Sequence, residues 1–429
     1  MTRSRTSPLE PRRVGRRRAS SAELATELAA HRWGTRRTKV EELALDVADA
    51  GQVRVPVFIN EFWTSKQRDA HSIHEVSYRA CFKPQLPRFF ISRLTEPGDV
   101  VYDPFMGRGT TVIEAALTGR VPIGNDLNPL SAILVGPRLH PPGLDEIRQR
   151  LEDLRWTRGR RLPEDLLVFY HPETLGEILA LRSYLHGRAR AGELDSVDAW
   201  IRMVALNRLT GHSPGFFSVY TLPPNQAVSV AAQRKINRRR GQEPPRRDVR
   251  SLILRKSRSL LADLSALDRR TLAAHSSRAR LLTAPAHATR AIRARSVRLV
   301  VTSPPFLDVV DYAGDNWLRC WFCHIDPKRV ALTILKDPAD WQAAMTRVFK
   351  ELKRILVPGG HVAFEVGEVR SGRIRLEELI VPAGLAAGLR PRLILINSQC
   401  FTKTSNCWGV ANLEKGTNTN RVVLFEKPD

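Results

Sequence analysis

Two short loops, each placed directly after an apolar run, constrain the fold of this chain more than any other feature. One follows Val100–Tyr102 and contains two glycines, and the other follows Leu299–Val301 and begins with Ser303-Pro304-Pro305. Short apolar runs that end in glycine or proline are typical of buried strands. Because an α/β sheet binds ligands outside the carboxyl ends of its strands, the two loops predict one sheet with a shared ligand site.

Predicted strands and helices alternate on both sides of a long interruption. A strand at 100–102, a helix at 110–118 and a strand at 121–124 form a predicted βαβ unit. Further strands are predicted at 279–282, 297–302, 361–366, 393–396 and 422–425, with a helix at 341–356 and a turn at 358–360. The arginine-rich stretch between the second and third strands has helical spacing. The pattern predicts an α/β fold with a large, mainly helical, basic insertion.

The N-terminal region has two different compositions. Residues 1–22 are mostly arginine, serine and proline, so we expect a disordered basic arm. An organellar transit peptide has a similar composition, but this segment lacks amphipathic periodicity. Apolar residues at three- and four-residue spacings predict helices at 21–30 and 40–47, and residues 52–90 lead from there into the core.

The charge balance indicates a polyanionic partner. The formal net charge is +24, and a protein that neutralises phosphates releases their condensed counterions, so nucleic acid is the expected partner. No apolar run approaches the ~20 residues that cross a bilayer, and the arginine-rich start lacks the apolar stretch of a secretory signal. We expect a cytoplasmic protein with no membrane partner.

The cysteines favour a reducing compartment and no metal site. Five cysteines are an odd number for a disulfide framework in a chain of this size. Cys320, Cys323, Cys400 and Cys407 resemble a set of zinc ligands, but the second pair is spaced more widely than in structural zinc sites. We therefore expect buried thiols beside aromatic side chains.

The glycine turn after the first strand has the composition of a cofactor loop. Gly107 and Gly109 let the backbone approach a ligand where a Cβ atom would clash, and the following helix offers free N–H groups. Asp126 ends the next strand, where an acidic side chain can accept hydrogen bonds from both hydroxyls of a ribose. The turn and the acid together predict a nucleotide-like cofactor, although a tight strand-to-helix turn without a ligand has the same glycines.

Several stretches of the chain resemble the amino-methylating DNA methyltransferases, which modify N4 of cytosine or N6 of adenine. Residues 103–111 look like the cofactor motif of this family. Residues 302–306 look like its catalytic motif, in the serine form that is more typical of cytosine-N4 enzymes. Residues 74–79 and 82–86 resemble the segment that closes over the methionine end of the cofactor. The motif order, with a long insertion between the two, resembles the arrangement that places target recognition there.

The resemblance implies a Rossmann-like sheet, S-adenosylmethionine as the cofactor, and three parts after the basic arm. Residues 23–135 would hold N-terminal helices and the cofactor-binding part, 136–277 the inserted target-recognition region, and 278–429 the catalytic part. The implied cofactor-binding residues are Tyr78, Lys83, Asp103, Pro104, Phe105, Gly107, Gly109, Thr110, Thr111, Asp126 and Asn128. The chain departs from the family in two places, because residue 306 is phenylalanine where tyrosine is commoner, and residues 281–286 lack the acid often found near the adenine.

The implied catalytic residues are Ser303, Pro304, Pro305 and Phe306. The amine of cytosine is a poor nucleophile because its lone pair is delocalised into the ring. The Ser303 hydroxyl and the Pro304 carbonyl can accept both amine hydrogens and favour a pyramidal nitrogen. The prolines stiffen the loop, and Phe306 would stack on a base rotated out of the duplex. No Pro-Cys pair occurs in the chain, which disfavours the thiolate attack of carbon-5 methylation.

The insertion contains the densest run of positive charge. Its predicted nucleic-acid-binding residues are Arg234, Lys235, Arg238, Arg239, Arg240, Arg246 and Arg247. A solvated helix face has a similar composition, but the density of charge and its position between the two motifs favour contact with phosphates. Phosphate contacts set affinity, whereas the target sequence depends on side chains at the groove edges.

The sequence thus predicts a site-specific methyltransferase that acts on N4 of cytosine in double-stranded DNA, associated with the nucleoid if the host is bacterial. A cognate restriction endonuclease is a further candidate partner. Adenine N6 and an RNA base amine are the alternative targets, because the same loop can present any exocyclic amine. The non-enzyme alternative is a nucleic-acid-binding protein with a relict cofactor fold, in which Ser303→Ala would leave every function unchanged.

Overall fold

The computed structural model describes residues 17–48, 50–64, 70–78, 81–156, 162–222, 227–305, 312–326, 335, 337–369, 374–398 and 419–429. A nine-stranded sheet runs through the centre of this part of the chain, with helices on both of its faces. Phe306, Cys400, Cys407 and residues 1–16 of the predicted basic arm lie outside the described residues.

Thirteen strands occur in the described ranges. They are β1 (Arg32–Trp33), β2 (Arg36–Arg37), β3 (Lys39–Val47), β4 (Gly51–Asn60), β5 (Val100–Asp103), β6 (Val121–Asn125), β7 (Arg280–Leu282), β8 (Val297–Thr302), β9 (Leu356–Val366), β10 (Glu368–Val369), β11 (Ile374–Arg375), β12 (Arg390–Ser398) and β13 (Thr419–Glu426). The short strands β1 with β2, and β10 with β11, form two separate antiparallel pairs.

The strand order of the large sheet explains where a ligand can bind. The order is β3-β4-β12-β13-β9-β8-β5-β6-β7. Strands β5 to β9 are parallel, and β13 is antiparallel to both of its neighbours, β9 and β12. The chain moves outward from β5 to β6 and β7, and it returns on the other side of β5 as β8. The sheet is therefore Rossmann-like, as predicted, with a topological switch point between β5 and β8.

Thirteen α-helices accompany these strands in the described residues. They are α1 (Ser21–Ala30), α2 (Gln85–Leu94), α3 (Thr110–Leu117), α4 (Pro129–Leu139), α5 (Leu144–Asp153), α6 (Pro172–Ala191), α7 (Ser196–Leu206), α8 (Val230–Arg240), α9 (Val249–Leu260), α10 (Ala266–Ser276), α11 (Tyr312–Phe322), α12 (Pro338–Ile355) and α13 (Leu376–Ala386). Two single 3-10 turns lie at Ser72–His74 and Glu164–Val168. No described helix combines the length and the apolar character needed to span a membrane.

Alternate residues of the central strands face opposite helical layers. Tyr102 and Val300 share a core with Phe349 of α12. Val101 and Leu299 share a different core with α1 and α2 on the other face. A strand points successive side chains to opposite faces, so an apolar run without alternation is buried on both sides. The runs in β5 and β8 have this character because helices cover both faces of the sheet.

The helices between β6 and β7 form an apolar core of their own. It is built around aromatic side chains that include Tyr170, Trp200 and Phe217. Helix α11, which the sequence analysis did not predict, adds Leu318 to this core. Helix α10 instead packs through Leu272 beside α3, against the sheet. The helical region is thus continuous with the sheet, and the predicted boundaries at 136 and 277 stay predictions.

The predicted helix at 40–47 is wrong, because these residues form β3, which pairs antiparallel with β4. Val40, Leu43 and Val47 have helical spacing, but Leu43, Leu45 and Val47 also alternate, and the alternate residues are the ones that become partly buried. Val40 is 54% exposed, as expected if it does not belong to the apolar face. Pairing with β4, not the spacing alone, decides the structure.

Two element boundaries also differ from prediction. Helix α1 covers residues 21–30 as predicted, so the predicted end of the basic arm at residue 22 lies inside this helix, which Ser20 and Glu23 begin with a capping box. Strand β9 begins at Leu356, so the Pro358–Gly360 segment predicted as a turn lies inside a strand whose pairing with β8 is irregular. The remaining predicted strands and helices are confirmed within a few residues.

Candidate active site

The two loops that dominate the sequence lie side by side in the structure. Strands β5 and β8 are neighbours, with Val101 opposite Leu299 and Tyr102 opposite Val300. Both strands run in the same direction, so the glycine turn and the Ser303 loop leave the same edge of the sheet at the switch point. This is the juxtaposition that the sequence analysis predicted from the two apolar runs.

Two hydrogen bonds join these strand ends. The Thr302 hydroxyl donates to Asp103 Oδ1 over 2.6 Å, and the Thr111 hydroxyl donates to the Val301 carbonyl over 3.0 Å. All four residues are buried. The cofactor-type turn and the serine–proline loop are therefore held in a fixed relation by side chains from each.

Asp103 is the central acceptor between the two loops. Besides the Thr302 hydroxyl it accepts a hydrogen bond from the Phe105 amide over 3.1 Å. Burial raises the pKa of its carboxyl from 3.8 to about 7, against the opposing effect of these hydrogen bonds. In the structure Asp103, which the sequence predicted to bind a cofactor, ties β5 to β8.

The glycine turn needs both of its glycines. Gly107 and Gly109 have φ angles of 49° and 76°, in the left-handed region of backbone conformation that residues with a Cβ atom rarely adopt. A Cβ atom on Gly109 would lie 2.3 Å from the Val135 side chain of α4. Helix α3 starts directly after the turn at Thr110, so its N-terminal N–H groups face the edge of the sheet where the two loops meet.

Asp126 lies directly after β6 and faces the glycine turn. Its Oδ2 accepts a hydrogen bond from the Gly107 amide over 2.8 Å, and its Oδ1 accepts one from the Asn128 amide over 2.8 Å. Burial raises the pKa of this carboxyl. A carboxylate has about four lone-pair sites, so these two amide hydrogen bonds leave room for a ligand. Asn128 in turn caps α4 by accepting a hydrogen bond from the Leu130 amide.

Residues 70–78 and 81–83, which we call the covering segment, place two further predicted residues beside the turn. The Tyr78 ring lies 3.5 Å from the position of a Cβ atom on Gly107, and its hydroxyl is 3.5 Å from Asn128 Nδ2, which donates to it. Burial, followed by repulsion from Arg108, lowers the pKa of Lys83. Tyr78 thus lies beside the turn and Asn128, and Lys83 lies near Arg108 of the turn.

The serine–proline loop is described as far as Pro305. Pro304 is buried, whereas Ser303 and Pro305 are partly exposed. Trp341 of α12 is 2% exposed, and its Nε1 donates to the Pro305 carbonyl over 2.9 Å. Sequence reasoning missed Trp341, because nothing in the spacing of the chain indicates that α12 reaches this carbonyl.

Asn125 is a second residue that sequence reasoning missed. Its Nδ2 donates to the carbonyls of Pro104 and Ala284 over 3.1 and 2.9 Å, and its Oδ1 accepts from the Ala284 amide over 3.1 Å. It thereby connects the loop after β5 with the loop after β7, where the sequence lacks the expected acid. Asn125 thus fixes the Pro104 carbonyl, while the Phe105 amide is bound by Asp103. An asparagine that ends a buried strand was the available signal.

The predicted nucleic-acid-binding residues differ in exposure and in whether another side chain already binds their charge. Lys235, Arg238 and Arg239 of α8 are exposed and form no ion pair with any described residue. Arg234 pairs with the exposed Asp165, and Arg240 lies over the Tyr220 ring at 3.9 Å. The full predicted set also includes Arg246, which binds two glutamates, and the half-buried Arg247.

No group of three or more potential metal ligands occurs in the described part of the chain. Cys320 is buried and Cys323 partly buried, and burial raises the pKa of the Cys323 thiol to about 12. Both pack in the aromatic core of the helical region, the surroundings that the sequence analysis expected.

Comparison with known proteins supports the family resemblance for residues 28–131 of the chain. Residues 28–131 match the N6/N4 family described as DNA methylase. The chain is 32% identical over 89 residues to the Type II methyltransferase M.MjaII of Methanocaldococcus jannaschii, which covers 21% of this chain and 16% of that protein. It is 28% identical over 111 residues to the Type II methyltransferase M.MvaI of Kocuria varians, covering 25% and 23%. The matches thus span less than a quarter of either relative.

Solved structures give a broader and weaker likeness. A SAM-dependent methyltransferase from Methanosarcina mazei shares 9% identity, covers 78% of this chain and 95% of its own, and has a TM-score of 0.32. A likeness at this level carries no argument about activity. The resemblance to the amino-methylating family is confirmed over residues 28–131, which contain the glycine turn but not the serine–proline loop, and the cytosine-N4 subtype stays a prediction.

Proposed function

With residues 28–131 assigned to the amino-methylating DNA methylase family, we propose that this chain is an S-adenosylmethionine-dependent DNA methyltransferase. Its target is an exocyclic base amine, and N4 of cytosine is the preferred one. The single observation that supports this best is the bridge between the two loops, in which the Thr302 hydroxyl binds Asp103. It supports one composite site made from a cofactor-type turn and a serine–proline loop.

The residues around the glycine turn fit the proposed cofactor. S-adenosylmethionine supplies an electrophilic methyl group. The turn has no Cβ atoms at Gly107 and Gly109, the half-buried Asp126 has unused lone pairs for ribose hydroxyls, and the aromatic Tyr78 lies over the turn. Asn128, Lys83, Asp103, Pro104, Phe105, Thr110 and Thr111 complete the proposed cofactor-binding set.

The serine–proline loop is proposed to hold the amine. The Ser303 hydroxyl and the Pro304 carbonyl accept its two hydrogens, which favours a nitrogen whose lone pair is available. The bond from Trp341 to the Pro305 carbonyl limits the motion of the loop, so the neighbouring acceptors keep their direction. Phe306 would stack on the base after it leaves the duplex. The serine at the first position is the basis for preferring cytosine N4.

The exposed cations of α8 are the proposed contacts to DNA phosphates. Lys235, Arg238 and Arg239 have no described counter-ion to compete with a phosphate. Arg234, Arg240, Arg246 and Arg247 extend the same surface, although the first three already have partners. Such contacts add affinity without selecting a base sequence.

The proposal is tested by incubating the purified chain with tritiated S-adenosylmethionine and mixed-sequence duplex DNA, followed by nucleoside digestion and mass spectrometry. We expect N4-methylcytosine from the wild type and a loss of about 100-fold or more for Ser303→Ala, the scale set by removing one positioned hydrogen-bonding group. N6-methyladenine would keep the site and change the base. Label in RNA alone, or product formation unaffected by Ser303→Ala, would refute the proposal.

A further inference from the structure

The arginine between the two glycines of the turn points away from the expected ligand and into the protein. Arg108 is 7% exposed, and its guanidinium donates to three main-chain carbonyls of the covering segment. These are the carbonyls of His74 at 3.4 Å, Val76 at 3.0 Å and Phe82 at 3.3 Å. Its Nε also donates to the Thr110 hydroxyl over 3.3 Å. One side chain thus joins the turn to both ends of the covering segment.

A second buried arginine supports the same contact from behind. Arg138 of α4 is fully buried and donates to the carbonyls of Ile73 and Arg108. Neither arginine forms an ion pair with a described residue, and burial, followed by repulsion from Arg108, lowers the pKa of Arg138 to about 9. A buried charge without a counter-ion is costly, so these carbonyl contacts must be well formed to hold it.

The carbonyls bound by Arg108 lie next to the residues proposed to meet the cofactor. Val76 is two residues before Tyr78, and Phe82 directly precedes Lys83. The position of the Tyr78 ring beside Gly107 therefore follows from where the segment is held. A long side chain with five donors in a fixed plane suits this task, because it can bind several acceptors at once.

The helical region holds the covering segment from its other side. Asn207, after α7, accepts a hydrogen bond from the Ser77 amide over 2.7 Å, and Arg319 of α11 donates to the Ser77 carbonyl over 3.1 Å. Near the start of the segment, Asp263 accepts from the Ser72 amide over 2.9 Å. The segment lies between the glycine turn and the helices, and Arg108 supplies the contacts on the turn side.

We propose that Arg108 is a positioning residue, which sets the covering segment over the glycine turn and so places Tyr78 and Lys83 for the cofactor. The placement of the segment is a property of this chain's own contacts. Its effect on S-adenosylmethionine rests on the proposed function. The two can be measured separately, so a failure of one is distinguishable from a failure of the other.

The test compares Arg108→Met with Arg120→Met by hydrogen exchange and mass spectrometry. Arg120, which is partly buried, is the control, because it also donates to main-chain carbonyls, those of Thr95 and Thr118, at the opposite end of the same βαβ unit. The amides of His74, Glu75 and Ser77 are hydrogen-bonded in the structure, so their exchange reports on the segment. We expect faster exchange across 72–83 in Arg108→Met only.

A calorimetric titration with S-adenosylmethionine gives the second readout. We expect Arg108→Met to weaken binding roughly tenfold or more, the scale of one charge-assisted hydrogen bond, and Arg120→Met to change it little. If the wild type binds no S-adenosylmethionine, the proposed function fails while the exchange comparison still decides the role of Arg108.

A milder variant keeps the test decisive if Arg108→Met does not fold. Arg108→Lys retains the charge but cannot bind three carbonyls, so we expect exchange in 72–83 between that of wild type and Arg108→Met, with the sheet peptides of β8 and β9 unchanged. Wild-type exchange across 72–83 in Arg108→Lys, or the same acceleration in Arg120→Met, would overturn the proposal.

Discussion

The arginines around the glycine turn and those on α8 differ in burial and in what they bind. Around the glycine turn, Arg108 and Arg138 are buried and each donates to specific main-chain carbonyls. On α8, Arg238 and Arg239 are exposed and have no ion pair within the described residues. A buried charge acts through the geometry of its partners, whereas surface charges act through their sum and are screened by salt. The first set therefore organises a site, and the second set suits a long polyanion.

The acid Glu114, in the same buried region, has two charged or ionisable partners. It is 1% exposed and accepts hydrogen bonds from Arg88 Nε over 2.6 Å and from His74 Nε2 over 2.7 Å. Burial alone would raise the pKa of Glu114, but Arg88 and His74 outweigh it and lower the value to about 2. His74 belongs to the covering segment, so this cluster adds to the contacts that fix the segment.

The largest effect is expected from breaking this buried cluster. Glu114→Ala should destabilise the fold by about 3 kcal/mol, because the buried His74 would lose its acceptor and the partly exposed Arg88 its ion pair. Urea unfolding measures the change. The matched control is Glu42→Ala, because Glu42 and its ion-pair partner Arg54 are both more than half exposed. This variant should lower the free energy of unfolding by at most about 1 kcal/mol. Equal costs for the two variants would remove the contrast between the regions.

Replacing Asp103, in the buried region, should change how the free energy of unfolding depends on pH. The folded state raises the pKa of this carboxyl from 3.8 to about 7, so the folded chain binds the proton more tightly than the unfolded chain. The contribution of Asp103 to stability therefore falls as pH rises from about 4 to about 7, by at most about 1.4 kcal/mol per pH unit. Asp103→Asn removes this dependence and should gain stability relative to wild type over that range.

Urea unfolding at several pH values measures the Asp103 effect. The raised pKa of Glu365, also about 7 because of burial, is present in both proteins and cancels in the comparison. A constant stability difference between wild type and Asp103→Asn across the range would show that Asp103 is ionised in the folded state.

The sequence predicted the motif residues of the buried region but not their partners. Glycines at 107 and 109, the acid at 126 and the serine–proline loop carry their signal in residue type and spacing. Arg108 and Trp341 carry no such signal, because their partners are main-chain carbonyls brought close by the fold. Every residue has a carbonyl, so no pattern of side chains marks which one will be bound.

The helical spacing at 40–47 failed for a related reason. Leu43 and Val47 fit both a helical and an alternating pattern, and only the pairing partner β4, with which β3 forms a hairpin, decides between them. The strands at 100–103 and 297–302 had no such ambiguity, because they are short, apolar over most of their length and end in glycine- or proline-containing loops. A short apolar run does not by itself distinguish a strand from a buried helix, so the flanking glycine and prolines carried the signal.

The surface region should respond to removal of charge with little change in stability. The triple variant Lys235→Gln, Arg238→Gln and Arg239→Gln should change the free energy of unfolding by less than about 0.5 kcal/mol for each site. It should reduce the salt dependence of DNA binding, with the slope of log K against log salt falling by about 0.9 for each phosphate that the variant no longer neutralises. Fluorescence anisotropy over a range of salt concentrations measures the slope.

A control triple separates the position of the charges from their number. Arg190, Arg270 and Arg347 are exposed, lie on α6, α10 and α12, and form no ion pair with a described residue. Their replacement by glutamine removes the same charge, and it should leave the salt slope close to that of wild type. If both triples lower the slope equally, the α8 surface has no special role in DNA binding.

The smallest effect is expected for an arginine of the basic run that is already ion-paired. Arg246 lies in the basic run but binds Glu173 over 2.9 Å and Glu177 over 2.6 Å, so a phosphate would have to displace two carboxylates. Arg246→Gln should therefore change the salt slope by less than Arg239→Gln, which removes an unpaired charge, and should cost at most about 1 kcal/mol in stability. Equal slopes for the two single variants would mean that the glutamates release Arg246 when DNA binds. The basic run would then act as one surface, and ion pairing in the free protein would not indicate which of its arginines contact DNA.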